Sequence, residues 1–153
     1  KGMATFMVVV VFVQIFLGGL VAGLKAGLTY NTWPLMAGNF IPTGVYDYDP
    51  KWRSVFEDAM TVQFDHRVVA YLLFIAALIH AFQAWKLVPR SAAARRARHL
   101  ALLVTAQAGI GIATLIAVVP LDLALLHQFG AAVVLWAAVS HRRALNEPTP
   151  VTA

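Results

Sequence analysis

Four long runs of apolar residues, separated by shorter polar segments, dominate the pattern of this sequence. They span about residues 3–24, 62–86, 99–119 and 121–141. Each run is close to the roughly 20 apolar residues that an α-helix needs to cross the hydrocarbon core of a bilayer. The pattern therefore predicts an all-α integral membrane protein, a four-helix transmembrane bundle that forms a single domain over residues 1–153.

The connections between these runs differ in length and in chemistry. Residues 25–61 form one larger loop, rich in aromatic side chains and in the turn formers proline and glycine. Aromatic rings suit the headgroup region, so we expect this loop to cover the outer end of the bundle. Within it, Ser54 and Glu57 have the spacing of a capping box, which predicts the start of a short surface helix. Residues 87–98 are predicted as a basic inner loop.

Composition supports a membrane location. Hydrophobic residues make up 60% of the chain and charged residues only 12%, whereas soluble domains are roughly 25% charged. The chain has no cysteine, which excludes disulfides, thiolate ligation of haem and iron–sulfur clusters. The first run is too long for the core of a signal peptide and lacks a cleavage site, so we expect a membrane helix. Because the chain opens on Lys1, we also expect a trimmed or partial sequence.

The positive charges predict the orientation of the bundle. Loops on the cytoplasmic side of membrane proteins carry an excess of lysine and arginine. Because there are four spans, three segments fall on the same side of the membrane: the one before the first run, the one between the second and third, and the one after the fourth. The basic residues of these segments are Lys1, Lys86, Arg90, Arg95, Arg96, Arg98, Arg142 and Arg143. This side should be the cytoplasm or the mitochondrial matrix. The net charge of +5 follows from this distribution and indicates no nucleic-acid partner.

Two histidines lie at matching depths in alternate spans. His66 lies near the outer start of the second span and His127 near the outer start of the fourth. An ionisable side chain within a span is a candidate for function, because an unsatisfied polar group is costly in hydrocarbon. Two facing imidazoles have the chemistry of a bis-histidine haem site, so we predict that His66 and His127 are axial ligands of a haem iron. A histidine at a helix end that bonds only to interfacial water is the simpler alternative.

Three polar residues near these histidines are predicted to line the same pocket or to contact the haem propionates. Gln63 lies on the same helix face as His66, and Arg67 and Gln128 are sequence neighbours of the two histidines. Neighbours on a helix point about 100° apart, so Arg67 and Gln128 need not share the site.

The remaining histidines allow a second interpretation. His80 follows His66 by fourteen residues and His141 follows His127 by fourteen, which is close to four helical turns. This is the pattern of a two-haem cytochrome b. Histidines that favour helix ends produce the same spacing, and His99 is expected to be interfacial.

Glycines recur every four residues at Gly19, Gly23 and Gly27, and two more, Gly109 and Gly111, lie in the third span. Small residues at this spacing let helix backbones approach closely in lipid, so plain helix packing is the expected role. Close packing also leaves space for a flat macrocycle, and the sequence does not decide between the two.

The chain resembles the haem A synthase family over nearly its whole length. The blocks that carry the resemblance are residues 18–36 (GGLVAGLKAGLTYNTWPLM), 55–57 (VFE), 62–67 (VQFDHR) and 126–128 (LHQ). In order, they look like the blocks of the C-terminal half of such a synthase. The resemblance implies an oxidoreductase of haem A biosynthesis, which oxidises the C8 methyl of haem O to the formyl group of haem A.

The resemblance also implies a division of labour between two four-helix halves. The N-terminal half takes the substrate haem and carries a catalytic glutamate, whereas the C-terminal half binds a haem b that passes electrons, held by histidines that match His66 and His127. The catalytic residue of this chain is therefore unknown, because the two glutamates, Glu57 and Glu147, both fall outside the predicted spans. Activity of this half alone is doubtful: a fragment, a half with a separate partner half and a homo-oligomer all remain open.

The resemblance implies haem O as substrate and haem A as product, both bound in the companion half. It also implies contact with membrane lipid and with haem O synthase and oxidase assembly factors as protein partners. The location implied is the bacterial inner membrane or the mitochondrial inner membrane. Two alternatives stay open at this point. One is a b-type electron-transfer cytochrome with one haem or two, and the other is a haem-free membrane protein.

Overall fold

A computed structural model describes residues 1–145, which form helices and no strand. Four helices are long and apolar enough to cross a membrane, as the sequence predicts. Glu147 lies outside the described residues. The helices are α1 (Gly2–Gly23), α2 (Ser54–Glu57), α3 (Ala59–Leu87), α4 (Ala92–Ile116) and α5 (Leu121–Ala144).

The four long helices form a ring. Helix α1 packs against α3 and α5, and α4 packs against the same two helices from the other side. Consequently α3 and α5 lie diagonally across the bundle from each other, as do α1 and α4. Chain direction alternates, so the ends of α1 and α4 and the starts of α3 and α5 meet on the outer side.

The centre of the ring is filled by apolar side chains. This buried cluster consists of Met7, Val11, Leu73, Ala77, Leu100, Ala101, Val104, Val134 and Ala138. Large apolar side chains such as Phe6, Phe12 and Phe16 of α1 instead point outwards and are about half exposed. Such exposure is unusual for a soluble monomer and is what lipid requires.

Two helix boundaries differ from the prediction because polar caps lie further out than the apolar pattern suggests. The carboxylate of Asp58 accepts from the backbone N–H groups of Met60 at 3.3 Å and Thr61 at 3.0 Å, which starts α3 at Ala59 rather than at residue 62. The hydroxyl of Ser91 accepts from the N–H of Ala94 at 3.0 Å and starts α4.

The early start of α4 corrects the predicted inner loop. Its arginines, at positions 95, 96 and 98, lie within the helix, and the connection from α3 is only residues 88–91 instead of 87–98. The long side chain of an arginine at the end of a membrane helix can reach the water among the lipid headgroups. The arginines can therefore belong to the helix, and their charge did not indicate where α4 begins. At the outer side, α4 ends at Ile116 rather than at residue 119, and Val118 and Val119 turn the chain with φ of 60° and 56°.

The outer loop, residues 24–58, contains the predicted short helix but not the predicted capping box. Helix α2 begins at Ser54, whose hydroxyl accepts from the N–H of Tyr48 at 3.0 Å. Glu57 pairs with the exposed Arg53 at 2.7 Å rather than reaching back to a helix-capping N–H. The sequence spacing was right for a helix, but the cap itself is different.

Candidate cofactor site within the bundle

One polar layer crosses the apolar interior near the outer end of the bundle, and each of the four spans contributes one side chain to it. These side chains are Gln14 of α1, His66 of α3, Gln107 of α4 and His127 of α5. His66 is seven residues, about 10 Å, from the start of α3, and His127 is six residues, about 9 Å, from the start of α5. The two histidines therefore lie at similar distances from the starts of their helices, and His66 lies two turns inside α3 rather than the predicted one.

The first half of the layer joins α1 to α3. The side-chain Nε2 of Gln14 donates to the backbone carbonyl of His66 at 3.1 Å, and it lies 3.1 Å from Nδ1 and 3.2 Å from Nε2 of the ring. One turn further along the same face of α1, a Cβ on Gly18 would lie 3.3 Å from Cε1 of that ring. The imidazole of His66 thus lies against the bare backbone of Gly18.

The second half repeats this arrangement between α4 and α5. The side-chain Nε2 of Gln107 donates to the backbone carbonyl of His127 at 2.6 Å and lies 3.1 Å from Nδ1 of the ring. A Cβ on Gly111, again four residues after the glutamine, would lie only 2.7 Å from Cε1 of His127. The amide oxygen of Gln107 lies against Gly130, where a Cβ on residue 130 would clash with that oxygen.

The layer fits a haem with two imidazole ligands. His66 and His127 come from diagonal helices and belong to the same polar layer. The amide oxygen of Gln14 is buried and has no hydrogen-bond partner in the described part of the chain, so the layer retains an unused polar atom. Among residues 1–145 no group of three or more His, Cys, Asp or Glu side chains could hold a metal ion alone, whereas a haem needs only two axial donors.

Gln63 and Arg67, both predicted to line the pocket, hold the outer loop to α3. Gln63 is 2% exposed and donates to the carbonyl of Ala26 at 2.8 Å. The guanidinium of Arg67 donates to the carbonyls of Tyr30 at 3.1 Å and Thr32 at 3.0 Å, and to the amide oxygen of Gln63 at 2.9 Å. These hydrogen bonds give Gln63 and Arg67 a structural role. Their predicted contact with haem stays a prediction.

Gln128 is exposed on α5, beside His127 but on another face of the helix. Nothing in the described structure turns it towards the polar layer. The glutamines that do lie in the layer, Gln14 and Gln107, were not singled out in the sequence. A usable signal was present, because each is followed by a glycine four residues later.

The inner end of the bundle holds the other two histidines. His80 of α3 and His141 of α5 meet across the ring, with their Nε2 atoms 2.8 Å apart. An iron between two axial imidazoles needs about 4 Å between those nitrogens, twice a metal–imidazole bond of about 2.0–2.1 Å. This hydrogen-bonded pair therefore argues against a second haem held between them, whereas His99 is exposed on α4, as expected for an interfacial residue.

At the outer surface, Tyr46 of the loop donates its phenolic hydrogen to the carboxylate of Asp65. Burial of the phenol, the hydrogen bond and the negative charge of Asp65 together raise the pKa of Tyr46 to about 12. The backbone N–H of Tyr46 also donates to the hydroxyl of Thr61 at 3.0 Å. Asp65 lies in the second turn of α3, and its hydrogen bond with Tyr46 joins the outer loop to that helix.

Comparison with known proteins agrees with the sequence resemblance. The chain matches the family described as cytochrome oxidase assembly protein over residues 1–139. It belongs to that family. It is 52% identical over 147 residues to the haem A synthase of Chelativorans sp. (strain BNC1), which covers 96% of this chain and 41% of the relative. It is 55% identical over 141 residues to the haem A synthases of Brucella anthropi and Brucella ovis, covering 92% of this chain and 40% and 39% of those proteins.

Within this family, the chain spans about two fifths of the length of the curated relatives it matches. That proportion is consistent with one half of a protein built from two parts. No solved structure matches the chain.

Proposed function

We propose that this chain is the C-terminal, haem b-binding half of a haem A synthase, in which His66 and His127 are the axial ligands of the iron. The observation that carries the proposal is the outer polar layer, where two histidines from diagonal spans each lie against a glycine on the neighbouring helix. The haem A synthase name of the relatives and the matched motifs support the same assignment.

In this proposal, each residue of the layer has a defined task. The haem, when bound, carries one electron at a time by changing between its ferric and ferrous states. His66 and His127 would hold the iron through their imidazoles, while Gly18 and Gly111 provide room for the rings. The apolar cluster below the layer, around Val11 and Leu73, keeps water away from the site. The exposed Lys25 and Lys51 of the outer loop are candidates to pair with propionates.

The chemistry on the substrate belongs to the companion part of the enzyme. Glu57, the one glutamate in the described residues, lies in α2 at the outer surface and pairs with Arg53. We therefore place the oxidation of the C8 methyl of haem O in the N-terminal half, with this chain passing the electrons. Haem O synthase and oxidase assembly factors are the expected partners, in the bacterial inner membrane or the mitochondrial inner membrane.

Haem content tests the proposal. The purified chain should contain one low-spin b-type haem, seen in the reduced-minus-oxidised spectrum, and both His66→Ala and His127→Ala should lose it. The matched control is His99→Ala, which changes an exposed histidine of α4 and should leave the haem in place. Haem retained in both site variants, or absent from the folded unmutated chain, would overturn the assignment.

A b-type electron-transfer cytochrome is the alternative function, and the same experiment separates it. Two haems per chain, one of them lost in His80→Ala, would favour the two-haem cytochrome. The direct contact between His80 and His141 gives no support to that outcome.

A further inference from the structure

The inward-facing side chains of the bundle repeat from the first pair of spans, α1 and α3, to the second pair, α4 and α5. Residues of α1 have counterparts of the same kind ninety-three positions later in α4; these are Ala4 and Ala97, Met7 and Leu100, Val11 and Val104, Gln14 and Gln107, and Gly18 and Gly111. Residues of α3 have counterparts sixty-one positions later in α5; these are His66 and His127, Leu73 and Val134, Ala77 and Ala138, and His80 and His141. Self-similarity at a fixed spacing is the sequence signature of a structural repeat.

The contacts repeat together with the residues. In each pair of spans the glutamine Nε2 donates to the backbone carbonyl of the histidine, at 3.1 Å for Gln14 and 2.6 Å for Gln107, and lies 3.1 Å from Nδ1 of its ring. The glycine one turn further along lies against that ring in both pairs. The chain does not impose this agreement locally, because 52 residues separate the partners in the first pair and 20 in the second. The two pairs of spans are therefore two copies of one arrangement.

A two-fold axis that runs along the bundle relates the two copies. The first spans of the copies, α1 and α4, run from the inner to the outer side, and α3 and α5 run back, so the rotation that exchanges the copies keeps these directions. The inner histidines locate the axis. His80 and His141 are counterparts, and their equivalent Nε2 atoms are 2.8 Å apart. An atom lies this close to its own counterpart only beside the axis, which therefore passes between these two imidazoles.

The outer histidines are counterparts as well, so an iron held equally by His66 and His127 belongs on the same axis. The chemistry of haem b matches this symmetry. Both of its propionates lie on one side of the macrocycle, and a half-turn about the line that passes between them and through the iron exchanges only methyl and vinyl groups. The lysines of the outer loop, Lys25 and Lys51, favour the propionates at the outer end, which aligns that line with the axis of the bundle.

We infer that this chain binds haem b in two orientations, related by a half-turn about the bundle axis, because its two copies present matching side chains to both. The inference rests on the proposed function. The match is incomplete at one position near the layer, where Val69 of α3 corresponds to Gly130 of α5, so one orientation is favoured. The amide oxygen of Gln107 lies against Gly130 and reduces this difference. A difference of one buried methylene group corresponds to a ratio of about fourfold, so the minor orientation should hold about one fifth of the haem.

Two buried valines are placed to set the ratio of the orientations. Val11 and Val104 are counterparts, 2% and 4% exposed, and each lies one turn inside the glutamine of its helix. The half-turn exchanges the haem edge that faces α1 for the edge that faces α4. Val11→Ala should therefore favour one orientation and Val104→Ala the other, each by about fourfold for the space of the lost carbon atoms.

The test is the proton NMR spectrum of the purified chain loaded with ferric haem, in which the paramagnetic iron moves the haem methyl resonances away from those of the protein. We expect two sets of methyl resonances with haem b. We expect one set when the chain is loaded instead with an iron porphyrin whose methyl and vinyl groups are symmetric about the line between the propionates. A single set with haem b would overturn the inference. Two sets that persist with the symmetric porphyrin would also overturn it, because the protein would then be the source of the heterogeneity.

The matched control for the valines is Val9→Ala, which makes the same change on the outward side of α1, where Val9 is 55% exposed, and should leave the ratio unchanged. Shifts in the same direction in Val11→Ala and Val104→Ala would contradict a two-fold site. If either variant loses its haem, the comparison of haem b with the symmetric porphyrin in the unmutated chain decides. Haem-free unmutated protein, or haem that survives His66→Ala and His127→Ala, instead overturns the proposed function.

Discussion

Gly111 of α4 lies directly against the imidazole of His127 of α5, so closely that a methyl group on Gly111 would be 2.7 Å from Cε1 of the ring. Real carbon atoms do not approach to that distance, so either the ring or the helix must move if a side chain is added. The same relationship, at 3.3 Å, joins Gly18 to His66. The size of the residue on one span thus determines where the histidine on the next span is placed.

The first prediction follows from this contact. Gly111→Ala should displace the ring of His127 and lower the haem content of the purified chain, because the added methyl occupies space that the ring needs. Gly109→Ala is the matched control, since a Cβ there meets nothing within 4 Å. That control should keep its haem and gain about 0.5–1 kcal/mol in stability from the better helix former. Equal haem content in the two variants would contradict the prediction.

The second prediction concerns Arg67. Arg67→Met should loosen the outer loop, because the loop loses hydrogen bonds from a charged group to the carbonyls of Tyr30 and Thr32, each worth about 1.5–3 kcal/mol. Faster hydrogen exchange in residues 30–35 is the expected result. Arg53→Met, which changes an exposed arginine of the same loop, should leave exchange in that segment unchanged. Unchanged exchange in Arg67→Met would show that the loop is held by other contacts.

The third prediction is a tyrosine titration. The pKa of Tyr46, raised to about 12 from 10.0, means that the protonated phenol is favoured in the folded state. Its contribution to stability is therefore complete below pH 10 and is lost as the pH rises through about 12. Absorbance of tyrosinate should show one late step, absent in Tyr46→Phe. In Asp65→Asn that step should move to lower pH, and an unmoved step would contradict a role for Asp65.

The fourth prediction concerns the inner histidine pair. His80→Ala should lower the free energy of unfolding by about 1–3 kcal/mol, because it leaves the buried His141 without its hydrogen-bond partner on α3. The ratio of haem to chain should not change. His99→Ala, at an exposed site, should shift stability by no more than about 0.5 kcal/mol. A fall in haem content in His80→Ala would revive the two-haem interpretation.

Sequence reasoning located the histidines because a charged or polar residue is conspicuous in a long apolar run. His66 and His127 were visible for this reason, and alternation of the spans placed them on one side. The glutamines were harder to find. Gln14 and Gln107 each lie within an apolar run as well, but only their contact with a histidine on another helix distinguishes them from polar residues that face an interface.

The glycines illustrate the same limit. The recurrence of Gly19, Gly23 and Gly27 suggested a packing strip; a Cβ at Gly27 would lie 3.0 Å from Val119, yet a Cβ at Gly19 or Gly23 meets nothing within 4 Å. The glycines that lie opposite an imidazole ring are Gly18 and Gly111, neither of which the four-residue repeat includes. Spacing along one helix cannot reveal which face another helix will cover, because that depends on the rotation of both helices about their axes.

The sequence by itself therefore determined the four apolar spans and the positions of the two histidines near the starts of the second and fourth spans, since both depend on hydrophobicity and position along a single chain. The tertiary structure alone decided that α3 and α5 are diagonal, that Gln14 and Gln107 hold the imidazoles, and that Arg67 binds the loop. Those facts depend on which faces of separate helices meet, and packing sets a side chain's partner even between residues 52 positions apart, such as Gln14 and His66.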